Sequence, residues 1–540
     1  MVSILLLAQL LILFLLLTVL RQLPLMFRIF LGLIITWPVL NLYVQIDLPA
    51  GVPDIHYARA GVFGLVLCVI VTAAIAAKYR RSLATTNRAL QQRRQKFDQR
   101  PQSASDPRSA SDPSSEPQSD AVPSRAISSA YPMVASSHAE QGSEGYHGNV
   151  SGLPLLATAY VGLVGASFVA GFATGSVGST AVATFLDSTL IPVAMYLFTR
   201  KYVDSPRRLV WLLGAILFSS MVISVTGIYE NTMDFTHSPC PIAPINESGD
   251  TRWLGVPGGR AAGVLANPAI YGGVVGMGLL CCLTFFAHSD GRSKRLLFAG
   301  VGCVLAYGVF VSYTRSAWLS VAIAVFFSQF FIRGLWKMTV PLSLVAVLLA
   351  AITWGALSQN DLVQDRVMDT ENVTGRVERI VWSWDRFLEH PILGQGPGAL
   401  DAMMQTVFQE EFDTSHNTYL TMMVDYGFVR FALFLAVVAS WLTRAGLILA
   451  SSRRGQFEYS VIAAMVGFLL IWLLSGMSIE LKLFPYFGAL FWIAGGVIER
   501  LRADAVAVDL GRGQRRQRNF SPRIAGAKIG PRESGAPSYV

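Results

Sequence analysis

Charged residues are scarce in this sequence: Asp, Glu, Lys and Arg make up 14% of its 540 residues, whereas hydrophobic residues make up 53%. This balance argues against a chain of soluble domains. Apolar runs of about twenty residues recur along the chain, and each is long enough to cross about 30 Å of hydrocarbon as a helix. The composition therefore predicts an all-α polytopic membrane protein.

Cysteine is also rare, and its five residues show no spacing typical of a disulfide framework or a metal site. The sequence lacks a Walker loop, a dinucleotide fingerprint and a paired-carboxylate motif as well. We therefore expect no metal and no cofactor. The net charge of +9 is explained by cytoplasmic loops, which collect Lys and Arg in membrane proteins, so no nucleic-acid partner is expected.

Twelve to thirteen membrane-spanning helices are predicted. They run near 3–20, 29–46, 60–77, 153–173, 178–198, 209–228, 265–287, 296–313, 316–332, 338–357, 428–449, 457–475 and 483–498. The first run lacks a basic leader and a small-residue cleavage site, which indicates a retained helix. The basic clusters all fall on one side of this arrangement, so that side is predicted to be the cytoplasm, with the amino terminus outside and the carboxyl terminus inside.

The chain divides into four predicted regions. They are the amino-terminal helices at 1–77, a disordered basic and Ser/Pro-rich cytoplasmic insert at 78–152, a transmembrane core at 153–500 and a disordered basic cytoplasmic tail at 501–540. Two long segments, 229–263 and 358–427, face outward, and the second lies between late helices. Loops of such length usually have a function.

Arg315 stands in the stretch "FVSYTRSAWLSV", between two long apolar runs. A charged residue close to hydrocarbon is costly and usually has a role. The helix count places Arg315 on the outer side, against the positive-inside bias. Arg260 precedes another helix that is predicted to enter the membrane from the outer side. The Gly and Pro residues at the start of that helix indicate close packing or a broken first turn. For each arginine the alternative is an interfacial anchor that reaches the lipid head groups.

Arg376 is predicted to lie in the first turn of a helix capped by Asn372 or Thr374 and ended by Pro391. A helix start favours anions, because its unpaired N–H groups and the positive end of its dipole lie there. This helix is predicted to lie at the membrane interface, because apolar residues recur along it at helical spacing. They are Val377, Ile380, Val381, Trp384 and Leu388.

His416 lies in the stretch "DTSHNTYLTMMVDYGFVRF". Thr414 or Ser415 is predicted to cap a short helix that leads into the span near Phe428, which places His416 in the first turn. An imidazole with a pKa of about 6.5 is suited to accepting a proton. The alternative is a hydrogen-bonding anchor at the membrane surface. Together, the three arginines and this histidine predict a basic outer site for a phosphate or diphosphate group, which the planar arginine fork suits.

Four stretches resemble, in this order, the O-antigen ligase and O-antigen polymerase family. They are "RAAGVLANP" with Arg260 and Asn267, "YTRSAWLS" with Arg315, "TGRVERIVWSWDRFLEHPILGQGPG" with Arg376, and "SHNTYLTMMVDYG" with His416. The resemblance covers about residues 255–440. It implies a fold of the membrane glycosyltransferase C class in the bacterial inner (cytoplasmic) membrane, with the active site on the extracytoplasmic face.

The resemblance also implies a reaction in lipopolysaccharide, capsule or exopolysaccharide biosynthesis. A glycan linked through diphosphate to undecaprenol would move to a glycan, lipid or protein acceptor, without a metal or cofactor. Arg260, Arg315 and Arg376 would bind the diphosphate, and the catalytic set would be His416, Arg315 and Arg376. His416 would act as the general base or orient the acceptor.

A membrane transporter of a glycan, lipid or small anion is the alternative function. Transporters place ionisable residues and broken helices near the middle of the membrane. The candidate charges of this chain cluster at the outer interface instead. Asp187, within "TAVATFLDSTLIPVAM", is the main exception. We interpret Asp187 as a polar contact between helices in preference to part of an ion path.

Overall fold

The computed structural model describes part of the chain, in the following ranges. They are residues 22–43, 45–46, 55–56, 62, 153–173, 182, 184–232, 260–265, 267–332, 337, 371–408, 416–451 and 456–520. All of them belong to one compact unit, formed by Met1–Val66 and Gly152–Val540. A second unit, Leu67–Ser151, contains none of the described residues. The predicted insert at 78–152 and the predicted spans at 3–20 and 338–357 lie outside the described residues, as does nearly all of the span at 60–77.

The described chain is helical apart from one short strand pair, as the sequence predicts. The α-helices are α1 Leu25–Tyr43, α2 Leu153–Ala173, α3 Ile191–Tyr202, α4 Pro206–Thr232, α5 Pro268–His288, α6 Arg292–Val311, α7 Arg315–Phe331, α8 Glu371–Glu389, α9 Ala399–Phe408, α10 Thr418–Ser451, α11 Phe457–Ser475 and α12 Pro485–Phe520. A π-helix, Leu186–Leu190, precedes α3, and 3-10 helices occupy Gly263–Leu265 and Leu481–Leu483. The strands β1 Gln45–Ile46 and β2 Ile55–His56 pair antiparallel, with Gln45 opposite His56.

Five of the described helices are long and apolar enough to cross a membrane: α4, α5, α6, α10 and α11. Shorter apolar helices occupy Leu25–Pro38, Leu156–Val169 and α7. The chain is therefore a multi-pass membrane protein, and the number of twelve to thirteen spans stays a prediction.

Two predicted spans differ from the structure. The span at 178–198 contains the π-helix, which interrupts regular α-helical geometry before α3 begins. The final span does not end at 498, because α12 continues to Phe520 into the region predicted as a disordered tail. Its sequence after Glu499 contains Leu, Arg and Ala, which favour helix strongly enough to extend it beyond the apolar part.

Helix α5 lies at the centre of the described bundle and packs against α4, α6, α7 and α11. On its α7 side, Gly272 faces Ala317 and Gly276 faces Val321, so closely that a Cβ atom on either glycine would collide. Small residues four positions apart let two helix backbones approach in a membrane, where packing rather than water exclusion drives association. This contact places the starts of α5 and α7 side by side.

Candidate functional site

A cavity of about 530 Å³ lies where these helix starts meet. Its lining includes Arg260, Arg315, Arg376 and His416, which are the four residues singled out from the sequence. The rest of the lining is Asn267, Pro268, Ala269, Tyr313, Thr314, Ser316, Ser478 and Ile479. The fold therefore brings the four residues together from separate segments, while their catalytic and binding roles stay predictions.

Arg260 begins a short segment that leads through the 3-10 helix into α5. Near the end of α4, the buried carboxyl group of Glu230 accepts hydrogen bonds at Oε2 from the backbone N–H groups of Ala262, at 2.8 Å, and Gly263, at 2.6 Å. These bonds fix the segment that carries Arg260. Glu230 was not predicted, although an acidic residue at the end of an apolar run is a signal that sequence reasoning could have used.

Arg315 is the first residue of α7 and follows a tight connection from α6. Tyr313, within that connection, has a φ angle of 43°, in the left-handed region that residues other than glycine rarely adopt. The connection is tied to the Arg260 segment, because the N–H group of Ala261 donates to the carbonyl oxygen of Val311 at 3.0 Å. Backbone strain of this kind persists only where the surroundings enforce it, and it clusters at functional sites.

Arg376 lies on α8, but not in its first turn. The helix begins at Glu371, which places Arg376 in the second turn and both Asn372 and Thr374 inside the helix. The predicted caps are therefore wrong, and so is the argument that Arg376 benefits from the start of its own helix. The helix ends before Pro391, as predicted.

Arg376 and Arg315 are close enough to affect each other electrostatically. Burial, and then the positive charges of Arg315 and Arg379, lower the pKa of Arg376 from its ordinary value. Arginine nevertheless stays charged in proteins. Like charges held near one another by the fold repel, and an anion bound between them would relieve that repulsion.

The apolar stripe of α8 lies on the surface of the described structure. Its residues with exposures between 46% and 56% are Val377, Val381, Trp384 and Leu388. An adjacent side of the helix is packed, because Phe387 forms a small buried core with residues of α9 and with Val424 of α10. An outward stripe on a helix docked to a membrane span supports the expected position at the membrane interface.

His416 precedes α10 instead of lying in its first turn, and its φ angle is 50°. The cap of α10 is Asn417, not Thr414 or Ser415. Its Oδ1 atom accepts hydrogen bonds from two backbone N–H groups of the following turn, at 3.0 and 3.2 Å. The strained backbone of His416 and the rigid cap beside it hold the imidazole at the cavity.

Helix α10 is interrupted at Gly427, whose φ angle is 76°. The turn at 394–398, "GQGPG", packs against this interruption. Two of its N–H groups donate to carbonyl oxygens just before Gly427, at 2.8 and 3.0 Å. Just after it, the N–H group of Phe428 donates to the carbonyl oxygen of Pro391 at 2.8 Å. The turn therefore docks the segment that carries Arg376 onto the helix that follows His416.

Three helices begin at the cavity: α5 at Pro268, α7 at Arg315 and α10 at Thr418, two residues after His416. Asn267 caps α5 with hydrogen bonds of 3.0 and 3.2 Å from the next turn. Helix starts carry partial positive charge. The cavity therefore combines three helix starts with three guanidinium groups, an arrangement suited to a multiply charged anion.

No group of three or more His, Cys, Asp or Glu side chains that could hold a metal ion occurs among the described residues. Cys281, Cys282 and Cys303 are free thiols. The expectation that the protein uses no metal and no cofactor stays a prediction.

The fold and cavity define a multi-pass helical membrane protein with an anion-suited cavity at one end of its bundle. Residues 300–435 match the model of the O-antigen ligase family. This match confirms the predicted resemblance to the O-antigen ligase and polymerase family. The matched part contains Arg315, Arg376 and His416, whereas Arg260 precedes it and reaches the cavity through the fold. Among curated proteins, none matches the chain.

Proposed function

We propose that this protein transfers a glycan from undecaprenyl diphosphate to an acceptor in lipopolysaccharide, capsule or exopolysaccharide biosynthesis. The family match supports a glycan ligase or polymerase role. The observation that carries the finer proposal is the cavity itself, where Arg260, Arg315, Arg376 and His416 meet at the starts of three helices. Ligase and polymerase share this donor chemistry and differ in the acceptor.

The arginines would stabilise the leaving group. In the transfer, the bond between the anomeric carbon of the glycan and a diphosphate oxygen breaks, and that oxygen takes the electron pair. Negative charge therefore grows on the diphosphate, where fixed cations and helix starts lower the energy of the transition state. The guanidinium groups of Arg260, Arg315 and Arg376 offer paired N–H donors that match phosphate oxygens.

His416 would act on the acceptor. As the acceptor hydroxyl oxygen bonds to the anomeric carbon, its proton must leave, and a neutral imidazole in the same cavity is suited to take it. The strained backbone at His416 fits this role, because catalysis depends on a base held in one position. Orienting the acceptor without taking its proton is the other role that this position allows.

The cavity would face the extracytoplasmic side of the inner membrane. His416 lies at the start of α10, and Arg444 lies near its far end. There, the carboxylate of buried Glu499 forms two ion pairs. Its Oε1 atom lies 3.7 Å from Nη1 of Arg444, and its Oε2 atom lies 3.5 Å from Nε of Arg200 in α3. A group of basic residues at the end remote from the cavity is typical of a cytoplasmic end.

The test uses purified protein in lipid nanodiscs with an undecaprenyl-diphosphate-linked oligosaccharide and a panel of glycan, lipid and protein acceptors. Release of undecaprenyl diphosphate, followed by mass spectrometry, is expected to require an acceptor and Arg315. The control is Arg292→Ala, because Arg292 is likewise exposed and the first residue of a helix but does not line the cavity. Equal release by wild type and Arg315→Ala would contradict the proposed site, and the productive acceptor would separate ligase from polymerase.

A transporter is a second candidate because of Asp187. This residue lies in the π-helix and lines a small pocket of about 50 Å³ together with Asp425 and Lys482. Ionisable groups beside an interrupted helix are typical of transport pathways. Flux of the lipid-linked donor across proteoliposomes, abolished by Asp187→Asn but not by Arg315→Ala, would favour this function.

A further inference from the structure

Lys482 joins three separate parts of the protein. Its Nζ atom lies 2.7 Å from Asp401, 2.8 Å from Glu480 and 3.8 Å from Asp425. Asp401 belongs to α9 and Asp425 to α10, whereas Glu480 and Lys482 lie in the connection between α11 and α12. The side chain of Lys482 is 12% exposed, and those of Glu480 and Asp425 are each 2% exposed.

The connection that carries Lys482 also forms part of the cavity. Ser478 and Ile479 line it. The hydroxyl group of Thr418, the first residue of α10, donates to the carbonyl oxygen of Ile479 at 2.7 Å and accepts from the N–H group of Leu481 at 2.8 Å. Lys482 is thereby coupled to the start of α10, next to His416.

Asp425 extends this cluster to the segment that carries Arg376. Its carboxylate accepts hydrogen bonds from two backbone N–H groups at the start of α9, at 3.1 and 3.0 Å. The ion pair between Asp401 and Lys482 is a second contact that holds α9, in this case to the connection between α11 and α12. Because the turn at 394–398 connects α9 directly to α8, these contacts restrict the position of Arg376.

The surroundings of Lys482 stabilise its positive charge. Although burial opposes its charge, the carboxylates of Glu480, Asp425 and Asp401 raise the pKa of Lys482, so the ammonium group persists. Removing one partner from a buried ionic cluster leaves the others without compensation. The contacts of this ammonium group therefore depend on all three chain segments staying in place.

We propose that Lys482 is a positioning residue, which fixes the segment of Arg376 relative to His416 and so assembles the two sides of the cavity. The inference rests on the proposed function for its effect on transfer. Its effect on structure is independent of that function. Lys482 does not line the cavity, so it would act through the elements that it joins.

The test compares Lys482→Met with Lys482→Arg by two measurements, glycan transfer and backbone hydrogen exchange across 394–408. Lys482→Met should lower transfer about tenfold to a hundredfold, which is the range expected for small misplacements of reacting groups. It should also accelerate exchange in this range. Lys482→Arg keeps a cation for the carboxylates. It should therefore retain part of the transfer activity and part of the protection from exchange. Lys201→Met, an exposed lysine remote from the cavity, is the control and should change neither.

A second variant separates positioning from charge compensation. Glu480→Gln combined with Lys482→Met removes the cation together with one of the two buried carboxylates. Asp425 keeps its two backbone N–H donors and Asp401 is partly exposed, so the double variant should accumulate better than Lys482→Met alone. Positioning predicts that exchange across 394–408 stays fast and transfer stays low in this double variant. Full recovery of transfer, or unchanged exchange in Lys482→Met, would overturn the inference. Absence of transfer in the wild type, with exchange still accelerated in Lys482→Met, would refute the proposed function and leave the structural coupling supported.

Discussion

Replacing Glu230 with alanine should displace the Arg260 segment. Glu230 is 7% exposed, and the two residues whose N–H groups donate hydrogen bonds to it, Ala262 and Gly263, are both buried. A buried donor left without an acceptor costs about 1–3 kcal/mol, so two such donors cost about 2–6 kcal/mol. The segment can reduce this cost by moving toward water, and Arg260 would move with it.

The displacement should appear in the dependence of transfer on donor concentration. Every 1.4 kcal/mol corresponds to about tenfold in a binding constant, so loss of the Arg260 contact should raise the half-saturating donor concentration at least about tenfold. Glu230→Gln keeps an amide oxygen as an acceptor and should show a smaller increase. Thr232→Ala is the matched control at the end of α4, because it removes only an exposed hydrogen bond to a carbonyl oxygen of its own helix, of 3.0 Å.

Thermal unfolding, measured for the same variants, distinguishes a local from a global effect. An increased half-saturating concentration with little change in melting temperature would support the displacement of Arg260. Unchanged donor dependence in Glu230→Ala would refute the reasoning, because it would mean either that the segment keeps its place without Glu230 or that Arg260 does not bind the donor.

Three further predictions concern the kink, the interface helix and the topology. Gly427→Ala should lower the melting temperature, because a Cβ atom there would collide with the carbonyl oxygen of Ile392 and the φ angle of 76° is left-handed. The control Gly446→Ala, on the same helix, has open space around the new Cβ atom and should not lower it. Equal melting temperatures of the two variants would contradict this prediction. A spin label on Val381→Cys, in a cysteine-free background, should be reached better by oxygen than by a water-soluble nickel chelate. A reporter fused near Asn360 should read extracytoplasmic, and a cytoplasmic signal would contradict the predicted orientation.

The sequence was informative where a single residue conflicts with its local surroundings. Arg315 is conspicuous because it separates two apolar runs, and it lines the cavity that the fold forms; its side of the membrane stays a prediction. The helices at 153–173 and 457–475 were predicted with the bounds that the structure gives, because long apolar runs flanked by polar residues have few alternative ends.

Prediction failed where the deciding partner is distant in sequence or where several local signals compete. Lys482 acquires its contacts only through folding, so no local pattern identifies it. The position of Glu230 at the end of an apolar run is a local signal, but its partners at 262 and 263 also follow only from folding. Near His416, several residues able to cap a helix follow one another, and local propensity does not select Asn417 among them. The start of α8 was misplaced for the same reason, since Asn372 and Thr374 are good caps that lie inside a helix already formed.

The positive charge at the helix starts indicates an anion site independently of the sequence motifs. Acidic residues stabilise a helix start, and cations there are unfavourable by about 0.3–1 kcal/mol. The helices α5, α7 and α10, which begin at the cavity, have no acidic residue in their first turns, as is also true of several other described helices. Helix α7 even begins with Arg315 itself. The helix starts and the guanidinium groups lie at one place, an arrangement that suits an anionic ligand.

Inorganic pyrophosphate tests this argument without a glycan. A ligand that binds only the folded state stabilises it by about 2.7 kcal/mol at a hundred times its dissociation constant. We therefore expect pyrophosphate to raise the melting temperature of the wild type, and high salt to weaken the effect. Arg315→Ala should abolish most of the increase, whereas Arg292→Ala should retain it. An equal increase in both variants would mean that pyrophosphate binds elsewhere on this basic protein, and the concentration of charge at the three helix starts would then need another explanation.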